Sequence, residues 1–293
     1  MFKINKVYIY DAFTKKNFHG NQAAIVLNSD NFSHKDMQLI AKEFGYSETV
    51  FLSKSNISQF RVHFFTPTAE VNMCGHATIA FTQALIDNNL ILIKNGLNTL
   101  TVEINLGIMP IYIFKENESL DIFMEQDTPK LETINIEPSE VLEAMGLSMD
   151  ALNNSFPIIK GYTGLWDLLI PLNSTKYLES INMNKDLMIK LSQKYDFISF
   201  HPFVLLDNNQ VRVRNFAPIC GIDEEAATGT SNGALSFFLY KENHLKVDSI
   251  LSVSQGKEMG RESEIKAKII FNEKGNLRVV VGGNAAKFLE GTI

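Results

Sequence analysis

The sequence predicts an α+β fold made of two similar halves, each a sheet wrapped around one buried helix. Three observations carry this. Short β-rich runs bounded by Gly, Asn, Ser or Pro recur through both halves, without the regular strand–helix alternation of a parallel sheet. The helical patterns between them are few. Two glycine-containing turns, at Gly75 and Gly229, each open an apolar helix, about half the chain apart.

Strands are expected at Lys3 to Tyr10, Ala23 to Val26, Val50 to Leu52, Phe60 to Phe65, Leu100 to Ile104, Ile111 to Phe114 and Leu120 to Met124. Ser33 to Glu43 reads as a helix, with Ser33 as N-cap and Asp36 in the first turn. The segment Glu125 to Ser139 carries Pro129, Pro138 and several acidic residues and lacks a period, so the domain boundary falls there, dividing 1–125 from 126–293. Beyond it, helices are expected at Ser139 to Met145, Asn184 to Tyr195 and Thr230 to Lys241. Strands are expected at Asp167 to Pro171, Phe203 to Leu206, Val211 to Phe216, Ile265 to Phe271 and Leu277 to Val281. Gly161 to Gly164 and Phe216 to Pro218 read as loops that set specificity.

Composition narrows the function classes. The 27 Lys and Arg against 33 Asp and Glu leave a formal charge of −6, so there is no positive field for a phosphate backbone, and nucleic acid is excluded as an expected partner. No apolar run reaches the roughly 18 residues of a membrane helix, and the first residues do not read as a secretory leader. A cytoplasmic protein with no membrane partner is expected. The two cysteines, Cys74 and Cys220, form no CxxC pair, which argues against structural zinc and a disulfide framework.

A glycine turn that opens a buried helix leaves backbone N–H groups unpaired at the positive end of the helix dipole, so it attracts anions. Two such turns could face one cleft between the halves and hold a small carboxylate. Neither has a nucleotide-binding glycine pattern. Beside the first turn, Glu48 precedes the apolar run Val50-Phe51-Leu52, where burial is expected to raise its pKa into a range useful for proton transfer. Glu70 lies nearby in sequence. His76, at the helix start, is expected to have a lowered pKa. Near the second turn Asp223, Glu224 and Glu225 form an acidic cluster.

In order and spacing these elements resemble the PhzF-like proteins of phenazine biosynthesis, which share the diaminopimelate epimerase fold. The resemblance rests on Gly20-Asn21-Gln22-Ala23-Ala24, Ser47-Glu48-Thr49, Cys74-Gly75-His76-Ala77-Thr78 and Glu224-Glu225-Ala226-Ala227-Thr228-Gly229-Thr230. It implies two pseudo-symmetric halves, each a mostly antiparallel barrel-like sheet around a central helix, with the chain's end able to cross back to the first half, and a homodimer. It also implies no metal and no cofactor. Carried over by position, it implies Glu48 as catalytic acid/base, His76 and Glu225 as supporting catalytic residues, and Asn21, Gly75, Ala77, Gly229, Thr230 and Ser231 as substrate-binding residues. Gln22 and Ala226 stand where the family has Pro, and Glu225 where it has Asp.

The expected function is a cofactor-independent isomerase of a small carboxylate-bearing metabolite, with Glu48 shifting a proton from carbon to carbon in an interdomain cleft. One rival is a racemase or epimerase of an amino acid using Cys74 and Cys220. The other is a non-catalytic small-molecule-binding protein of the same fold.

Overall fold

The computed structural model describes residues 5–272 and 274–293; Lys3 and Ile4 of the expected first strand lie outside them. The chain divides into two compact units, Met1–Glu125 with Gly282–Ile293, and Gln126–Val281.

In the first unit the elements run β1 (Lys6–Ala12), β2 (Asn21–Val26), α1 (His34–Phe44), β3 (Glu48–Ser53), β4 (Phe60–Phe65), β5 (Glu70–Val71), α2 (Gly75–Asp87), β6 (Gly96–Ile104), β7 (Gly107–Glu116) and β8 (Ser119–Glu125). The second unit contains β9 (Lys130–Thr133), α3 (Pro138–Ala144), β10 (Ile159–Tyr162), β11 (Trp166–Pro171), α4 (Thr175–Glu179), α5 (Lys185–Tyr195), β12 (Ser199–Leu205), β13 (Gln210–Val213), α6 (Gly229–Lys241), β14 (Ile250–Gln255) and β15 (Ser263–Phe271). Strand β16 (Leu277–Gly283) runs through the boundary, and β17 (Ala285–Thr292) belongs to the first unit.

One pairing scheme occurs twice. In the first unit β17–β1 and β1–β2 are antiparallel, β2–β3 parallel, β3–β4 antiparallel, β4–β6 parallel and β6–β7 antiparallel. In the second, β9–β10 and β10–β11 are antiparallel, β11–β12 parallel, β12–β13 antiparallel, β13–β14 parallel and β14–β15 antiparallel. Each unit places its buried helix, α2 or α6, in the connection that leads to the second parallel pair. This is the α+β architecture of two repeated halves.

Strand β1 shows how the layers form. Its residues after Lys6 are all buried, so both faces are covered. Val7 and Ile9 pack with Ala24, Val26, Phe51 and Phe65 onto Met37 and Ala41 of α1. Tyr8 and Tyr10, pointing the other way, donate their hydroxyls to Asn88 (2.6 Å) and Asp87 (2.7 Å) at the end of α2. Helix α1 is therefore amphipathic and external, whereas α2 buries residues on every side, from His76 to Leu85, and touches β1, β2, β3, β8 and β17. Helix α6 is likewise enclosed, with β9, β10, β11 and β15 around it. On the outer face of that sheet, Val141, Leu142, Leu178, Met188 and Leu191 of α3 to α5 cover Leu168, Ile170, Phe200 and Val204.

Several expectations change. Residues 282–293, counted with the second half but with the chain's end able to cross back, fold with the first: β17 lies antiparallel along β1 from Lys6↔Thr292 to Ala12↔Ala285. Gly161-Tyr162 is not loop but the end of β10, and its glycine serves close approach, since a Cβ there would stand 3.0 Å from Ala234 of α6 and 3.0 Å from Leu169. The expected strand Val211 to Phe216 ends at Val213. Strands β5, β9, β10, β14 and β17 and helix α4 were not expected; β9, reading Lys-Leu-Glu-Thr, is too short and polar to show a period. No described helix is long and apolar enough to cross a membrane.

Candidate active site

The first glycine turn gathers the sequence's strongest candidates. Glu48 opens β3, held in parallel register beside Ala23 of β2. Cys74 is the N-cap of α2 in extended conformation, and its thiol lies against the His76 ring. His76, the second helical residue, is buried. Its Nε2 lies 3.0 Å from Glu48 Oε2 and 3.3 Å from Ser47 Oγ, while its Nδ1 lies 3.3 Å from Asn21 Nδ2 and 3.4 Å from Cys74 Sγ. Thus Asn21, Glu48, Cys74 and His76 meet around one imidazole.

The electrostatics reverse two expectations. Burial alone would raise the Glu48 carboxyl, but its contact with the His76 imidazole and that ring's charge hold it below the usual Glu value. Burial alone would lower His76, yet the Cys74 sulfur and the Glu48 carboxylate push it well above the usual His value. The helix dipole, invoked for a lowered His76, is outweighed by two acidic partners within 4 Å. The Cys74 thiol is itself pushed up by burial, against the pull of His76. Glu48 and His76 therefore form an ion pair at neutral pH. Glu48 Oε2 is buried and, despite its distance from Nε2, accepts no aligned hydrogen bond. The Ser47 and Cys74 side chains join His76 in holding the carboxylate ionised.

Glycine at the turn is not required by the protein's own packing. A Cβ at Gly75 would meet only Met124 Sδ at 3.7 Å, and one at Gly229 only Val281 Cγ1 at 3.8 Å, both ordinary contacts. Ala77, one residue beyond His76, is fully buried. Glu70 is not part of the site: His34 (2.9 Å) and His63 (2.8 Å) bind its two oxygens.

The second unit's turn is built differently. Its N-cap, at the position of Cys74, is Thr228, whose hydroxyl donates to Glu225 Oε2 at 2.7 Å. Glu225 is placed by its own N–H on Asn215 O (3.0 Å) and by Gln255 Nε2 on its carbonyl (2.8 Å). The acidic cluster is not a solvated loop throughout: Arg214, buried, clamps Glu224 through Nε (2.7 Å) and Nη2 (2.8 Å). Asp223 stays outside with Lys185. Thr230 is half-buried, its carbonyl accepting from Thr163 Oγ1 (2.7 Å), and Gly233 leaves room for that same hydroxyl, which a Cβ would meet at 2.7 Å. Ser231, expected at the substrate, is fully buried and accepts from Asn215 Nδ2 at 3.0 Å. Cys220 lies exposed in a separate 3-10 turn, so the α6 turn carries a threonine where the α2 turn carries a thiol.

Sequence reading missed the polar network beneath that turn. Asp167 Oδ1 accepts from Ser199 (2.6 Å); Asn215 Nδ2 reaches Ser199, Ser231 and His201; His201 Nε2 meets Asn232 Oδ1 (3.2 Å), whose Nδ2 donates to Gln255 (2.9 Å). Burial pushes Asp167 up to about 7, with the Glu225 charge adding to it, and pushes His201 down to about 4. The one available signal was Asp167 itself, a charge inside the apolar run Trp166–Pro171.

An ionised carboxylate paired with an imidazolium at a helix start is equipped to accept and return a proton beside a bound anion. The phenazine biosynthesis-like protein family, PhzC-PhzF, matches residues 10–291, and the chain belongs to it. The uncharacterized isomerase YddE of Escherichia coli strain K12 is 33% identical over 294 residues, covering 96% of this chain and 95% of that protein. The trans-2,3-dihydro-3-hydroxyanthranilate isomerase of Pseudomonas chlororaphis is 27% identical over 294 residues, covering 97% and 98%. The crystal structure of a Bacillus anthracis phenazine biosynthesis protein of the PhzF family superposes with a TM-score of 0.87 at 29% identity, covering 99% of each chain. The chain is an isomerase of this family.

Proposed function

We propose that this isomerase moves a proton between two carbons of a small, cyclic, unsaturated carboxylic acid, of the kind named for the Pseudomonas chlororaphis relative, with Glu48 as the single acid/base. The observation that carries this reading is the Glu48 carboxylate itself, largely buried and held ionised 3.0 Å from His76 Nε2 at the start of α2.

The carboxylate oxygen takes a proton from carbon; the C–H bonding pair enters the conjugated system and its carboxylate; the new Glu48 carboxyl then gives the same proton to a second carbon. Atoms and charge are conserved, so the product is an isomer. The N–H groups of Gly75 and His76, at the start of α2, are assigned to holding the growing negative charge, while that of Ala77 turns to the Cys74 sulfur; a Cβ at Gly75 would meet only Met124 Sδ. Asn21 orients the His76 ring. Glu225, Gly229 and Thr230 are assigned to substrate contact. Ser231, which is buried, is assigned instead to fixing Asn215.

General acid/base transfer contributes ~10²- to 10⁴-fold. Glu48→Gln, which keeps shape but cannot take a proton, is expected to lower kcat by that factor with KM little changed. Wild-type kcat in this variant on an identified substrate would refute the assignment. Thiol-based epimerisation is not favoured, because a threonine hydroxyl at 228 is too weak an acid to stand for a second thiol.

A further inference from the structure

We propose that Glu48, Cys74 and His76 form a binding site for a thiophilic divalent cation, zinc above all, and that its occupancy silences the enzyme by engaging the Glu48 carboxylate. The carboxylate oxygen, the sulfur and a ring nitrogen all lie within 4.8 Å of one another. Carboxylate, thiolate and imidazole are the three donor types of protein zinc sites.

The spacing decides between a fortuitous cluster and a site. With zinc–nitrogen and zinc–oxygen bonds of about 2.1 Å and a zinc–sulfur bond of about 2.3 Å, tetrahedral ligands stand about 3.4 Å apart for N···O and about 3.6 Å for N···S. Here His76 Nε2 is 3.0 Å from Glu48 Oε2 and 3.9 Å from Cys74 Sγ. The Cys74 sulfur, 3.4 Å from Nδ1 and 3.9 Å from Nε2, lies beside the ring between the two nitrogens, so a turn of the Cys74 side chain towards Nε2 is needed to bring the three donors to ligating distances. The donors sit on firm supports, one opening β3 and two in the first residues of a buried helix. Binding through Nε2 leaves an Nδ1–H, which the Asn21 amide, 3.3 Å away, can accept through its oxygen after turning over, the outer contact that metal-bound histidines keep.

Charge and softness point to the same class of ion. A dication facing one carboxylate and one thiolate is neutralised in a buried place, and a thiolate selects zinc or cobalt over magnesium or calcium. Metal–sulfur and metal–nitrogen bonds replace the protons on those atoms, which pass to solvent; nothing is oxidised. Three protein ligands leave a fourth position for water. The site itself stands on this geometry; the loss of activity rests on the proposed role of Glu48.

The test is titration of the full-length protein with Co²⁺, read by its absorption. One equivalent is expected to give a thiolate-to-cobalt charge-transfer band and tetrahedral visible bands, displaced by Zn²⁺. Cys74→Ser should abolish the charge-transfer band, Glu48→Gln and His76→Gln should weaken zinc binding by about 10-fold or more, and Cys220→Ser should leave both unchanged. Glu48→Gln keeps the test open should a change at the Cys74 N-cap unfold the helix. No band in wild type, a band surviving Cys74→Ser, or a band lost in Cys220→Ser would overturn the site. If the band follows Cys74, Glu48 and His76 while Zn²⁺ leaves turnover intact, the metal site stands and the silencing falls, together with the role of Glu48 on which it rests.

Discussion

Glu48 illustrates how neighbours override burial. The apolar run that follows it suggested a raised pKa, the pattern of a neutral acid. The side chain that decides its state, His76, comes from 28 residues further along and supplies the opposing charge at 3.0 Å. The pair sets a pH window. Glu48, held below 4.5, stays ionised until the pH falls through its lowered value; His76, held well above 6.5, stays protonated until the pH rises through its raised one. The kcat/KM profile is therefore expected to have its acid limb below pH 4.5 and its alkaline limb above 6.5. In His76→Gln the buried carboxylate loses its cation, so the acid limb should move upward. An acid limb unchanged in that variant would show that His76 does not set the Glu48 charge. The residue types and spacing of this site were legible in the sequence. Its protonation states were not, because they depend on contacts between residues far apart in the chain.

At the scale of elements, the helices were the most readable part. Ser33 caps α1 and forms a reciprocal capping box with Asp36, a local interaction that leaves a local signature. Asn184 caps α5 in the same local way. The α6 network was hidden because it gathers residues scattered over β11, β12, β14, the segment after β13 and α6 itself. Its two buried titratable groups oppose each other. Asp167, raised from 3.8 to about 7, costs stability as the pH rises between those values, since the unfolded chain has already released its proton. His201, lowered from 6.5 to about 4, costs stability as the pH falls between those values, since the unfolded chain binds a proton that the fold refuses. At about 1.4 kcal/mol per pH unit the two contributions are about 4 and about 3 kcal/mol. They nearly cancel across pH 4 to 6.5. Denaturant melts should therefore show wild-type stability almost flat there, with Asp167→Asn losing stability towards acid and His201→Gln losing it towards neutral pH. Parallel profiles for all three proteins would contradict this account.

At the scale of the molecule, the repeated pairing scheme explains why similar glycine turns recur half a chain apart: each opens the helix that its own sheet encloses. The division near residue 126 was legible from a loss of period, whereas the return of the last strand was legible only through the family resemblance and not from the residues themselves. Residues 285–293 carry too few consecutive apolar side chains to announce a strand, and β17 exists through its backbone ladder with β1 and the packing of Phe288 against Phe18 and the α1-side core. A chain ending at Val281 is expected to lose that ladder, and with it the outer neighbour of β1 and one wall of α2. Hydrogen exchange should then show β1 and α2 unprotected while α3, α5 and α6 of the second unit keep their protection; protection of β1 at the full-length level would contradict the assignment of β17 to the first unit. The zinc proposal sits within the first unit alone and survives either result.

The central claim is that one carboxylate carries a proton from carbon to carbon, and the most direct measurement is NMR of trans-2,3-dihydro-3-hydroxyanthranilate and related cyclic unsaturated acids incubated with the protein in D₂O. Conversion is expected with the transferred hydrogen at a new carbon, partly replaced by solvent deuterium as Glu48 exchanges, and neither event with Glu48→Gln. Conversion or exchange at an undiminished rate in Glu48→Gln would contradict that role.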